Sequence, residues 1–365
     1  MRRVRYAVVG QGYIAQIAVL PAFSHARKNS ELAALVSGDR VKLRALGRKY
    51  GVDRLYTYDE YEDCLRAGDV DAVFIALPNH LHREYAVRAA RAGVHVLCEK
   101  PMALTEQDCK AMIAAARRGR VKLMVAYRLH FEEANLKAAA LVRSGKLGEP
   151  RIFDSVFTLQ VKAGNIRVQA EGGGALYDIG IYCINAARSV FAAEPFEVLA
   201  RSANNGERRF RDVDEMTTAV MRFPGERLAT FTCSLGAADV SAYQVVGTKG
   251  SLRVDPAYGY AEALVHHLQI GDKEQERRFG KRDQFAAELL HFSDCILRGR
   301  EPAPSGAEGL ADVRIICALL RSARSGRPVR LGPFTRARRP RLAQEIQRPP
   351  VRKPRLVRAE SPSLE

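Results

Sequence analysis

The sequence predicts an α/β protein: an N-terminal Rossmann domain followed by a C-terminal α/β domain with a large, open, mainly antiparallel sheet. Three observations carry that expectation. A glycine turn, Gly10-Gln11-Gly12-Tyr13-Ile14-Ala15, stands between an apolar strand and a helix. Short strands alternate with helices as far as Tyr127, the βαβ rhythm of a parallel sheet. Past Pro150 the alternation stops and strands follow one another across short turns, which implies antiparallel pairing. The expected boundaries are 1–125 for the dinucleotide-binding domain, 126–330 for a substrate-binding and oligomerisation domain, and 331–365 for a tail.

In the first domain the strands fall at 4–9, 31–36, 72–76, 94–98 and 121–125, with helices near 14–23, 41–50, 59–67, 80–92 and 105–118. The turn after the first strand has the G-x-G-x-x-A spacing. Gly10 lets the chain turn tightly, and Gly12 lets the backbone approach a pyrophosphate with no Cβ in the way. Ala15 is small enough for helix and strand to pack closely. The helix that opens at Tyr13 and Ile14 offers free N–H groups and a partial positive charge to phosphates. The plainer reading is a bare strand–helix turn.

The second strand runs into Ser37-Gly38, followed by Asp39, Arg40 and Lys42. An acid near this point suits the ribose 2′-hydroxyl of NAD, whereas a 2′-phosphate needs cations. Ser37 can donate to phosphate, and Arg40 or Lys42 can pair with its charge. Asp39 could instead serve a hydroxyl, and the two cations could simply solvate the next helix. NADP is the expected cofactor, with NAD the alternative.

The strand at 94–98 ends in Glu99-Lys100-Pro101. A lysine at the carboxyl end of a strand in such a sheet lies where these folds bind ligands. The following proline, with fixed φ and no N–H, limits how that lysine can move.

In the second domain, 151–162 alternates as a strand, a helix follows the glycine run 172–174, and strands follow at 196–204, 214–223, 227–236, 241–247, 250–254 and 262–270. Two helices, 283–298 and 308–325, are expected to pack back on the first domain. The segment Gly172-Gly173-Gly174-Ala-Leu-Tyr177-Asp178-Ile-Gly180-Ile-Tyr182 puts Asp178 and Tyr182 one helical turn apart on one face. Tyrosine can exchange a proton with a substrate hydroxyl, but a free phenol has a pKa of about 10 and is a poor partner at neutral pH. A neighbouring ammonium would lower it, and Lys100 is the natural candidate. Asp178 could orient a substrate or pair with Lys100. The plainer reading makes Tyr182 a filler of a domain interface.

Composition sets limits. At 365 residues, 47% hydrophobic and 27% charged, the chain has ample material for two cores. No apolar run approaches the length of a membrane span, so no membrane partner is expected. The first strand begins at once, which leaves no room for a signal peptide. Seven cysteines lie scattered without metal spacing, Cys98, Cys183, Cys295 and Cys317 in apolar segments. They read as reduced core residues of a cytoplasmic protein that holds no metal. The net charge is +17, and residues 331–365, with nine Arg/Lys against three acids, account for +6 of it. That Pro/Arg-rich tail is expected to be disordered or peripheral, and with Phe334 its one aromatic it has no nucleic-acid recognition module.

In order along the chain, Gly10-Gln-Gly12, Pro78-Asn79-His80-Leu81-His82, Glu99-Lys100-Pro101, Tyr127-Arg128 and Asp178-Ile-Gly-Ile-Tyr182 resemble the motifs of the Gfo/Idh/MocA oxidoreductase family. The resemblance covers nearly all of residues 4–331. Tyr182 stands where many members have histidine, and with Val36-Ser37-Gly38 this matches the glucose–fructose oxidoreductase branch. The resemblance implies catalytic roles for Lys100, Asp178 and Tyr182. It also implies that Ser37 and Lys42 hold the NADP phosphate, and that Leu77, Pro78, Asn79, His82, Glu99, Arg128 and Arg167 lie along the ribose and nicotinamide. For His82 a capping or core position is the alternative. A homodimer or homotetramer through the second sheet is implied as well. The expected activity is hydride transfer between NADP(H) and a sugar or polyol. The rivals are a transhydrogenase that keeps its NADP and a dinucleotide-sensing protein without catalysis.

Overall fold

The computed structural model describes residues 2–335 and 339–363. It divides into two compact units: Met1–Arg128 with Arg282–Leu310 and Ile346–Ser361, and Leu129–Lys281 with Ala311–Glu345 and Pro362–Glu365.

The first unit is a six-stranded parallel sheet of β1 (Val4–Val9), β2 (Ser30–Val36), β3 (Arg54–Tyr56), β4 (Ala72–Ile75), β5 (His95–Glu99) and β6 (Leu123–Ala126), in the order 3-2-1-4-5-6. Tyr6 to Val9 and Ala72 to Ile75 are buried on both faces, which is why these strands read as unbroken apolar runs. The order reverses between β1 and β4, so a crevice opens at their carboxyl ends, beside Gly10 and Leu77. β3 is an addition to the expected set, since three residues are too few to show a period. The helix Gln284–Leu297 packs on this sheet as expected, with Ser293 Oγ 2.8 Å from both Tyr6 OH and Ser30 Oγ.

The second unit holds nine strands: β7 (Pro150–Gln160), β8 (Glu197–Ala203), β9 (Met216–Phe223), β10 (Arg227–Ser234), β11 (Gly236–Gly247), β12 (Gly250–Val254), β13 (Leu264–Ile270), β14 (Lys273–Phe279) and β15 (Val329–Arg330). Their order is 14-13-12-11-7-10-9-8-15. The pairing is antiparallel apart from β7 with β10, so the sheet is mixed and mostly antiparallel. The helix Gly306–Ser325 corrects an expectation. From Ala311 on it belongs to this unit, where Ser322 Oγ accepts from Ala200 N at 3.0 Å and Asp312 meets Arg188. Its apolar face fits either sheet, and sequence periodicity cannot choose between them.

The unforeseen helix Glu133–Arg143 covers β13 and β14, packing Ala134 with Leu264 and Phe279. Beside it His266 is 6% exposed and bonds Ala134 O at 3.0 Å. Burial foremost, then the charges of Arg277, Lys137 and His267, push its pKa from 6.5 down to about 4. The folded ring stays neutral while an unfolded one takes up a proton. The stability it contributes is therefore present above pH 6.5 and lost as the pH falls toward 4. That loss amounts to at most about 3 kcal/mol. Urea unfolding at pH 7 and pH 4.5 should show it, and His266→Gln should remove most of the difference. An unchanged pH dependence in that variant would exclude the assignment.

Residues 331–363 carry one short 3-10 turn, Leu342–Gln344, and are otherwise without regular structure where described. They bond at defined points, Arg348 O accepting from Asp283 N at 3.0 Å and Pro362 O from Lys162 N at 2.9 Å. Among the described residues no helix is long and apolar enough to cross a membrane. The seven cysteines are thiols outside any disulfide, and all but Cys317 are buried.

Candidate active site

At the end of β1, Gly10 takes φ +92°, and a Cβ there would stand 2.5 Å from Ala76 O, so no other residue fits the turn. Gly12 has the opposite surroundings: a Cβ would meet nothing within 4 Å. That open backbone, with Tyr13 and Ile14 half-buried beside it, fits a pyrophosphate that needs close approach. The following helix opens as a π turn, Ala15–Val19, continued by Leu20–Ala22.

At the end of β2, Ser37 is buried and its Oγ accepts from Asp39 N at 3.3 Å. Gly38 lies against the Tyr58 ring, 3.2 Å from where a Cβ would be. Asp39 caps the helix Arg40–Tyr50, accepting from Val41 N and Lys42 N at 3.0 Å each. Arg40 is exposed and turned to Glu60 at 3.4 Å, while Lys42 is half-buried. Of the two expected phosphate cations, Lys42 is the better placed.

The loops after β4 and β5 are fastened together by His82. Its Nδ1 lies 2.8 Å from Pro101 O and its Nε2 2.9 Å from Leu77 O. Two carbonyl acceptors favour the imidazolium, but burial and then the Lys100 charge favour the neutral ring; burial is the larger effect, and the pKa is lowered. The ring is wholly buried. Its two ring nitrogens brace Leu77-Pro78-Asn79 against the Lys100-Pro101 turn, as the core alternative would have it. Lys100 N donates to the Glu99 carboxylate at 3.2 Å.

Beside this turn lies a buried polar group of which the motifs announce Arg128 and Glu99 but not Gln284 or Glu288. Arg128 is 6% exposed and donates to Gln284. One turn further along the same helix, Glu288 is fully buried, and among the described residues neither of its carboxyl oxygens has a hydrogen-bond partner. Burial first and then the Glu99 charge push its carboxyl well above the ordinary range, against the opposing pull of Arg128. Its sequence signal is an acid inside the apolar stretch Phe285–Leu290.

In the second unit the glycine run turns back on itself, since a Cβ on Gly173 would stand 2.3 Å from Gln169 O. The helix that follows also opens as a π turn, Leu176–Gly180, before Ile181–Val190. Such turns are frequent at functional sites. Asp178 and Tyr182 both belong to this element, and both are half-buried. Asp178 pairs with Arg167 Nε at 2.9 Å, so the expected cofactor arginine and the expected catalytic acid stand together. Tyr182 packs its ring against Phe157 and Tyr258, with centroids 5.6 and 5.9 Å away.

A six-stranded sheet in this order, with a glycine turn left open at its switch point, is the architecture of a dinucleotide-binding Rossmann fold. Residues 4–127 match the oxidoreductase family with an NAD-binding Rossmann fold, and residues 135–253 match the Gfo/Idh/MocA C-terminal domain. The chain belongs to the Gfo/Idh/MocA oxidoreductase family. It is 33% identical over 337 residues to the D-xylose 1-dehydrogenase [NADP(+)] of Haloarcula marismortui, covering 90% of this chain and 93% of that one. It is similar to the crystal structure of an aldose-aldose oxidoreductase from Caulobacter crescentus complexed with glycerol. The TM-score is 0.86 at 39% identity, over 90% of this chain and 100% of the other. A 3-ketoreductase from Actinomadura kijaniata in complex with NADP and TDP-benzene matches at TM-score 0.79 and 28% identity, over 88% and 98%.

Proposed function

We propose that this chain is an NADP(H)-dependent oxidoreductase that moves hydride between the nicotinamide and a CH–OH group of a sugar or polyol. One observation carries the cofactor choice. Asp39 commits Oδ1 to the N–H groups of Val41 and Lys42 and turns Oδ2 to Arg358, where an NAD enzyme would offer the carboxylate to a ribose hydroxyl. The sugar substrate rests on the xylose dehydrogenase and aldose-aldose oxidoreductase relatives.

NADP, when bound, supplies or accepts the hydride. Gly10, Gly12, Tyr13 and Ile14 hold its pyrophosphate, and Ser37, Gly38 and Lys42 its 2′-phosphate. The Leu77–Asn79 loop, Glu99 and Arg128 shape the ribose and nicotinamide end. Tyr182 takes the proton from the reacting hydroxyl, or returns it in the reductive direction. Lys100 stabilises the developing alkoxide, and Asp178, held by Arg167, orients the sugar.

The aldose-aldose oxidoreductase relative favours a second reading, in which NADP stays bound and a second sugar restores it. Absorbance and fluorescence of purified, undialysed protein distinguish the two. The assembly we propose, a homodimer or homotetramer through the second sheet, rests on Leu228 and Ile152. They pair in register across β10 and β7 and are 44% and 48% exposed. The test is a panel of aldoses, ketoses, anhydro-sugars, inositols and sugar phosphates run with NAD and NADP, the mass being read on the same sample by sedimentation. Turnover of a sugar with NADP is expected. Silence across the whole panel would replace the enzyme with a dinucleotide-sensing protein.

A further inference from the structure

The end of β2 carries a charge that a 2′-phosphate would meet as repulsion. Asp39 stands there, its carboxyl held below the ordinary range first by the Lys42 N–H and also by Arg358 and Val41, so it is ionised at neutral pH. The opposing cation comes from the far end of the chain. Arg358 Nη1 lies 3.2 Å from Asp39 Oδ1. Arg40, nearer in sequence, is turned instead to Glu60.

A clasp holds the backbone on the N-terminal side of Arg358 in place. Gln16 is 1% exposed, although it lies on the helix that follows the glycine turn. Its Nε2 donates to Gln11 O at 3.0 Å and to Val357 O at 2.9 Å, and its Oε1 accepts from Val357 N at 2.8 Å. One buried amide, with every polar atom bonded, thus joins the glycine turn to the tail. Lys49 Nζ adds a bond to Arg355 O at 2.9 Å. Arg358 itself takes φ +46°, a left-handed conformation that L residues adopt only where their surroundings hold them in it.

We infer that Arg355–Arg358 is a built part of the dinucleotide site, in which Arg358 offsets Asp39 and presents a guanidinium to the cofactor's 2′-phosphate. Selection of NADP over NAD then depends on a residue near the end of the tail. The inference rests on the NADP reading above. Without Arg358, Asp39 and Lys42 cancel, and a phosphate carrying up to two negative charges meets no net cation at this edge. With Arg358 the edge is cationic, and the planar fork can bond two phosphate oxygens at once.

Calorimetric titration of the full chain with adenosine 2′,5′-bisphosphate and adenosine 5′-monophosphate isolates the effect, because the two ligands differ only in the 2′-phosphate. Arg358→Gln is expected to weaken the bisphosphate ~10-fold or more and to leave the monophosphate unchanged. Adding Asp39→Asn to that variant should regain part of the loss. A bisphosphate Kd within about twofold of wild type, or an equal loss for both ligands, would overturn the inference. A wild-type chain that binds both nucleotides equally would refute the NADP reading itself. A wild-type preference that survives Arg358→Gln removes Arg358 alone.

Discussion

Tyr182→Phe is expected to lower turnover at least ~100-fold, the usual scale for losing a positioned acid–base group. The substitution is a clean one. Phenylalanine keeps the ring that packs against Phe157 and Tyr258, so the π-turn helix stays seated on its sheet and only the hydroxyl leaves. Cofactor affinity should not move, because apart from Arg167, whose partner is Asp178, the residues expected to hold the dinucleotide lie in the first unit. If the proton transfer occurs only in the transition state, kcat and kcat/KM should fall together. A rise in KM with unchanged kcat would instead make Tyr182 a contact for the bound sugar. Near-normal values of both would remove it from the reaction.

The parts of the fold legible in the sequence are those where burial leaves a period. β1 and β4 are covered on both faces and read as apolar runs, and the turn at Gly10 is legible because its geometry admits one residue type. β14 was hidden because six of its seven residues are exposed: an edge strand of Lys-Glu-Gln-Glu-Arg-Arg-Phe has the composition of a loop. The helix Glu133–Arg143 lacks the usual Ser, Thr, Asp or Asn at its start. Glu132 caps it instead, accepting from Ala134 N and Asn135 N, and alanines supply much of its buried face. For the candidate site, motif order points to Lys100, Asp178 and Tyr182, but it does not tell a ligand contact from a brace. His82 sits in the same motif as Asn79, and only its burial separates the two roles. Arg358 left no local signal at all. Its contact with Asp39 spans 319 residues, and tail composition gives charge without destination.

Asp312→Ala is expected to destabilise the second unit by about 3–5 kcal/mol, the cost of breaking a buried ion pair by removing one partner. Arg188 and Asp312 are both wholly buried and bonded to each other. Glu194 accepts from Arg188 Nε at 2.6 Å, and Arg339 reaches Glu194 at 3.8 Å and donates to Arg188 O at 3.1 Å. Among the described residues, two arginines thus face two carboxylates. Removing Asp312 leaves one positive charge in excess where water cannot reach it. The same change takes an acceptor from Asn185 Nδ2, bonded to Asp312 at 2.8 Å, while Asn185 Oδ1 accepts from His130 Nε2 at 2.8 Å. Asn185 lies three residues beyond Tyr182 on the same helix, so the loss falls on the element that carries the proposed base. Asp312→Asn retains an acceptor and should cost less than alanine, though it leaves the same excess charge. Urea unfolding followed by circular dichroism measures both. A cost below about 1 kcal/mol for alanine would mean that solvent or a rearranged Glu194 already balances Arg188.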